Sequence, residues 1–364
     1  MSNRLKIGIS AGDTNGIGWE IILKIFADNR FTELCTPIIY GQSAAAAYYQ
    51  KRYQQEIEPV RFNHIDNAER AASGKVNIIE CGEREVKITP GKPSKEGGAA
   101  AAAALQRAAQ DLRDGTIDAL VTAPIDKEMI QSADFPYTGH TEFLAKELDG
   151  EPLMMMCSEL MRVGLATIHL PVAKVAEALS EELIAKRIRQ INASLRQDFG
   201  IVRPRIAVMA LNPHAGDGGL LGEEEQQIIK PAIEQCYGED ILAFGPFAAD
   251  GFFAAGAYKQ YDAILAMYHD QGLAPFKTLS PDGVNFTASL AAVRTSPDHG
   301  VAYDIAGRGV ADPQSMRNAI YDAIDIVRRR DAWTEWNENP LQHFEREKGR
   351  DISVKDLPET EPND

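Results

Sequence analysis

Alternation is the feature that most constrains this chain. Short apolar runs of strand length are followed repeatedly by longer runs with helical period. Residues 5–10 read as a buried strand, followed by a glycine-rich loop and a helical run over 19–27. Further strand-like runs fall at 36–40, 119–122, 163–169, 206–212 and 263–268. Between them lie helix-like runs at 99–112, 127–132, 141–148, 172–179, 181–199, 223–236 and 316–329. The alanine-rich run at 99–112 is expected to begin after Gly97-Gly98. Strands separated by helices must cross over, so the pattern predicts α/β layers around a largely parallel sheet. At roughly 100–200 residues per domain, a chain of 364 residues suggests two domains.

The net charge of −15 argues against a general affinity for nucleic acid or anionic membrane, both of which need clustered cations. It does not exclude a small anionic substrate, which a few local donors can hold. Cys35, Cys81, Cys157 and Cys236 are far apart and form no C-x-x-C pair. That usage fits a reducing compartment better than a disulfide framework or a zinc ribbon. No apolar signal core precedes the first strand and no run of about 18 apolar residues occurs, so a cytoplasmic location is expected. The charged residues after about Asn337 are expected to be loosely ordered.

Three histidines occupy one kind of place, the end of an apolar strand entering a loop. They are His169, His214 and His269. Open α/β sheets bind ligands beyond the carboxyl ends of their strands. Three neutral imidazoles converging there would suit a divalent cation with positions left open for substrate. Each histidine alone fits a structural hydrogen-bonder better than a ligand; the three matching contexts together favour ligation. His140 and Thr141 sit in a Gly-His-Thr turn at a helix start, where a hydroxyl, an imidazole and free N–H groups could seat a phosphate. Lys277 and Arg294, with Asn285 between them, could hold phosphate and carboxylate, although read singly they fit solvated surface charges. Asp250 and Asp270 are candidate proton-transfer or supporting carboxylates, with turn or cap roles open for both. The run Gly-Asp-Gly-Gly-Leu-Leu-Gly after His214 reads as a flexible loop that approaches ligand closely. The loop at residues 11–18 carries glycines at 12, 16 and 18, which is not the G-x-G-x-x-G spacing. A nicotinamide cofactor, if used, must therefore be bound differently.

Several blocks become recognisable together: Thr-Ala-Pro-Ile-Asp-Lys, Tyr-Thr-Gly-His-Thr-Glu-Phe, Ala-Thr-Ile-His-Leu-Pro, Leu-Asn-Pro-His-Ala-Gly-Asp-Gly-Gly, Ala-Met-Tyr-His-Asp-Gln-Gly-Leu and Arg-Thr-Ser-Pro-Asp-His-Gly, followed by Ala-Gly-Arg-Gly-Val-Ala-Asp. In this order they resemble the signature blocks of the 4-hydroxythreonine-4-phosphate dehydrogenases. The chain departs from that pattern at Thr14 and Trp19, which stand where the family loop usually has prolines. The resemblance implies a fold similar to isocitrate and isopropylmalate dehydrogenases: two α/β domains with a cleft between them. Residues 1–130 with 305–335 would form the first and 131–304 the second, the latter carrying the metal and dimer interface, with 336–364 a charged tail. It implies a metal triad of His169, His214 and His269, and substrate contacts from His140, Thr141, Lys277, Asn285 and Arg294. It also implies a homodimer whose shared active site takes its His269 from the second subunit. The cofactors implied are NAD or NADP and a divalent ion, zinc, magnesium or cobalt. The activity implied is oxidation of 4-phosphooxy-L-threonine at C3, followed by decarboxylation to 3-amino-2-oxopropyl phosphate, in pyridoxal phosphate formation. Two alternatives stay open: a sister dehydrogenase for 4-phospho-D-threonate or 4-phospho-D-erythronate, and a non-catalytic metal-binding regulatory protein.

Overall fold

A computed structural model describes residues 4–83, 87–132, 135–137 and 139–341; the tail expected beyond that point lies outside the described residues. Twelve strands form one sheet. In chain order they are β1 (Lys6–Ser10), β2 (Thr36–Gly41), β3 (Phe62–Ile65), β4 (Val76–Glu80), β5 (Ala119–Thr122), β6 (Gly150–Cys157), β7 (Arg162–Leu165), β8 (Arg205–Met209), β9 (Leu242–Phe247), β10 (Ala263–Ala266), β11 (Val284–Leu290) and β12 (Val293–Pro297). The spatial order is β3-β4-β2-β1-β5-β12-β11-β6-β7-β10-β8-β9. The expected parallel sheet is present in two blocks. One runs from β3 to β12 and the other from β7 to β9. Between them, β12–β11, β11–β6 and β6–β7 pair antiparallel.

The central strands of both blocks are buried on both faces, which is why their sequences read as continuous apolar runs. Helices cover both sides. The long helix Gln314–Glu338 packs on one face, where Thr295 Oγ1 donates to the Ala319 carbonyl at 2.7 Å. The sheet continues across the expected domain boundary, because β12 lies beside β5.

Several elements differ from the sequence reading. The alanine-rich helix spans Lys95–Arg113 and so includes the glycine pair. Ser94 caps it, its Oγ accepting from Gly97 N at 3.0 Å. Gly98 is needed for close approach, since a Cβ there would lie 2.1 Å from the Met129 carbonyl oxygen. Residues 127–132 form turns, not a helix. His269 opens the helix His269–Leu279 and does not enter a loop. Gly272 and Pro275 disguise that helix in the sequence.

Candidate active site

The cleft is built on a sheet face. In β12, Arg294 and Ser296 are two apart and point the same way. Asn285 of β11 is in register with Ser296, and Met154 of β6 with Thr287. With Thr122 of β5 these residues floor a cleft of roughly 300 Å³. Its walls include Lys127, His140, Glu142, His169, Lys277, Asp298 and His299. Arg294, Asn285 and Ser296 therefore lie over the antiparallel centre of the sheet, whereas the strand-end argument from sequence concerned the three histidines.

Arg294 dominates the electrostatics. It is 2% exposed, so the reading of it as a surface charge is wrong. Nη1 donates to Thr287 Oγ1 at 3.1 Å and Nη2 to Thr122 Oγ1 at 2.6 Å, while the buried Nε has no partner. Burial pushes its pKa down to about 9, which leaves the guanidinium charged at neutral pH. Among the described residues it has no ion pair. Lys277 sits opposite, its Nζ 2.8 Å from Asp298 Oδ1. Three cations (Lys127, Lys277, Arg294) face two carboxylates (Glu142, Asp298) in a protein whose net charge is −15. The cleft is a local positive site in an acidic molecule.

His140 opens the helix His140–Glu147 and has a buried Nε2 without a hydrogen-bond partner. Burial, reinforced by the charges of Arg294 and Lys127, holds its pKa well below the usual imidazole range. It is therefore neutral at pH 7. The Asn285 Oδ1 is also buried and unpartnered. The Thr141 side chain lies outside the described residues.

The three strand-exit histidines divide. β7, β10 and β8 are parallel neighbours, so their exits emerge along one edge. His169 lines the cleft, and its ring lies 6.2 Å from that of His269. Desolvation, then the Lys127 charge, lowers the His169 pKa and favours the neutral, ligating form. His269 Nδ1 contacts Asp270 Oδ1 at 2.7 Å, and the Asp270 side chain is 82% exposed. His214 instead lines a separate cavity of about 600 Å³ with Asn212, Asp250, Tyr268 and Gln271. Among the described residues, no group of three His, Cys, Asp or Glu side chains could hold a metal ion. Within one chain, His169 and His214 line different cavities.

The loop at His214 takes a tightly turned left-handed path. His214, Ala215, Gly216, Asp217 and Gly218 all have φ between 43° and 78°. A left-handed run containing three non-glycine residues is strained and must be held by its surroundings. Glu225, 2% exposed, holds its entrance: Oε1 accepts from Leu211 N at 2.8 Å and Asn212 N at 2.7 Å. Gln271 Nε2 donates to the Ala210 carbonyl and its Oε1 accepts from Met267 N, stitching the exit of β8 to that of β10. Sequence reasoning missed Thr122, Lys127, Glu142, Ser296, Asp298 and His299 as lining residues. All six lie within the motif blocks, so their company was the available signal.

Residues 33–323 match the family model described as pyridoxal phosphate biosynthetic protein PdxA. A 4-hydroxythreonine-4-phosphate dehydrogenase of Bacteroides thetaiotaomicron is 49% identical over 358 residues, covering 97% of each chain. One of Prosthecochloris aestuarii is 43% identical over 326 residues, 87% of this chain and 95% of its own. A crystal structure of the enzyme of that name from Klebsiella pneumoniae superposes with a TM-score of 0.77 at 33% identity, over 90% of this chain and 98% of that one. The chain therefore belongs to the PdxA family of pyridoxal phosphate biosynthetic proteins.

Proposed function

We propose that this chain is a nicotinamide-linked dehydrogenase that oxidises 4-phosphooxy-L-threonine in pyridoxal phosphate biosynthesis. The observation that carries this reading is Arg294, a buried cation without a carboxylate. A buried charge left uncompensated is destabilising. One set beside Lys277, Lys127 and two unpartnered polar atoms is explained by an anion that arrives as substrate. A phosphate and a carboxylate on one small molecule match that set, with the guanidinium fork suited to planar or phosphoryl oxygens. A non-catalytic metal-binding protein has no use for it.

In the reaction, the C3–H bond breaks and hydride passes to NAD or NADP, while the hydroxyl proton goes to a base. The resulting β-keto acid loses carbon dioxide and takes up a proton at C2, giving 3-amino-2-oxopropyl phosphate. Arg294, Lys277, Asn285, His140 and Thr141 would bind and orient the anionic groups. Asp250 and Asp270 are the candidate bases; both are exposed, so each would act only when substrate or a second subunit covers it. His169, His214 and His269 would hold a divalent ion (zinc, magnesium or cobalt), which when bound supplies Lewis acidity at the reacting oxygen. In this reading the protein is a cytoplasmic homodimer and the second subunit brings His269 to each centre. The two units, 1–130 with 305–335 and 131–304, have the cleft between them, and 336–364 is a tail. Among the described residues no helix is long and apolar enough to cross a membrane.

The test is reduction of nicotinamide with 4-phosphooxy-L-threonine and with unphosphorylated 4-hydroxythreonine, each with and without chelator. Turnover that depends on both the phosphate and a divalent ion is expected. Equal turnover of the two compounds overturns the anion-site reading.

A further inference from the structure

Lys277 is the half-exposed cation of the cleft, with a side chain that is 50% accessible, and a free lysine in that setting samples many rotamers. Among the described residues, Asp298 holds it. The Lys277 Nζ forms an ion pair with Asp298 Oδ1 at 2.8 Å and donates to the Asp298 carbonyl oxygen at 3.3 Å. Those contacts to one residue leave at least one ammonium donor for a ligand. Asp298 is itself fastened. Its side chain is 11% exposed, and its N–H donates to Ser315 Oγ at 3.0 Å. Ser315 Oγ donates in turn to the Gly283 carbonyl at 2.7 Å, joining the start of the helix Gln314–Glu338 to the start of β11. Gly283 lies against the Phe276 ring, where a Cβ would come within 2.4 Å, so the helix bearing Lys277 is seated on the same point. The groups facing the Asp298 carboxylate are Lys277, His299 and His269.

We propose that Asp298 is a positioning residue for substrate binding, fixing the Lys277 ammonium so that its remaining donor faces the anion site. Ser315 serves as its anchor. The inference rests on the anion-site reading of the cleft and adds a residue that acts only through Lys277. Removing the carboxylate frees the lysine and leaves Arg294, Asn285 and His140 in place. The effect belongs in KM for phosphorylated substrate and in inhibition by inorganic phosphate, with kcat changed much less.

The experiment is a double-mutant cycle on the whole protein, measuring kcat, KM for 4-phosphooxy-L-threonine and the inhibition constant of inorganic phosphate. Asp298→Asn should raise KM on the order of tenfold, and Lys277→Met should raise it further. Adding Asp298→Asn to Lys277→Met should change KM by less than about twofold, because the residue through which Asp298 acts is gone. Independent, multiplying effects would overturn the proposal, as would an unchanged KM in Asp298→Asn. If Lys277→Met leaves KM and phosphate inhibition unchanged, the anion-site reading falls and this inference with it. If Asp298→Asn does not fold, Ser315→Ala replaces it in the same cycle, with a smaller rise expected alone and none in the Lys277→Met background.

Discussion

Among the described residues the buried guanidinium of Arg294 hydrogen-bonds to two threonine hydroxyls and has no ion pair, an unusual state for an internal cation. On the proposed reading the substrate anion balances its charge, so stability and function should pull apart at this position. Arg294→Met should raise the thermal midpoint, because a buried lone charge is exchanged for a well-sized apolar side chain. The same variant should lose about 2–5 kcal/mol of substrate affinity, read as KM. A fall in the midpoint with KM unchanged would show that the arginine is structural. In the sequence Arg294 could be placed only by its motif, since nothing in a string distinguishes a buried arginine from a solvated one. His140 was legible as a helix-start residue. Its neutrality was not, because that follows from burial beside Arg294 and Lys127.

Elements built on one period were readable and those that mix chemistries were not. β1, β2, β5 and β10 are short apolar runs, and their expected bounds lie close to those observed. β11 and β12 escaped because one face of each carries Asn285 or Arg294 toward the cleft while the other enters the core, so hydrophobicity alone sees only interruption. β3 is an edge strand with little buried surface. The helix Gln314–Glu338 was found, and it carries a pH-dependent term that sequence could not show. Burial, partly opposed by Arg162 and aided by Asp325, pushes the Asp322 carboxyl up to about 6. The folded state therefore holds its proton to higher pH than the unfolded chain, whose value is 3.8. Stability from this group is present below 3.8 and is lost as pH rises toward about 6. Asp322→Asn removes that loss. Its stability relative to the native protein should grow between those values and level off above them, by about 3 kcal/mol. Urea unfolding at a series of pH values measures this directly. A constant difference across the series would contradict the assignment.

For the whole molecule, the alternation in the sequence implied layers around a parallel sheet, and two parallel blocks joined by an antiparallel centre are what forms. What alternation could not reveal is that the cleft lined by Arg294 and Asn285 would sit on that centre, since antiparallel pairing is a property of topology and not of any segment. Nor could spacing show that His214 faces a different cavity from His169. The proposed dimer makes a separate claim, that His269 reaches each centre from the second subunit. His169→Ala and His269→Ala proteins, mixed and allowed to exchange subunits, would then form about half heterodimer with one intact centre in two. Activity should return to roughly a quarter of the native value. The rival arrangement is given by the nearness of His169 and His269 within one chain; if these serve the same centre, no activity returns. The central claim is the substrate itself, and a direct competition decides it. With divalent ion and NAD or NADP supplied, 4-phosphooxy-L-threonine and 4-phospho-D-threonate are compared by kcat/KM from the appearance of reduced nicotinamide. The account predicts a clear preference for the phosphorylated amino acid, with 3-amino-2-oxopropyl phosphate as product. A preference for the threonate, or for 4-phospho-D-erythronate in the same assay, would contradict it.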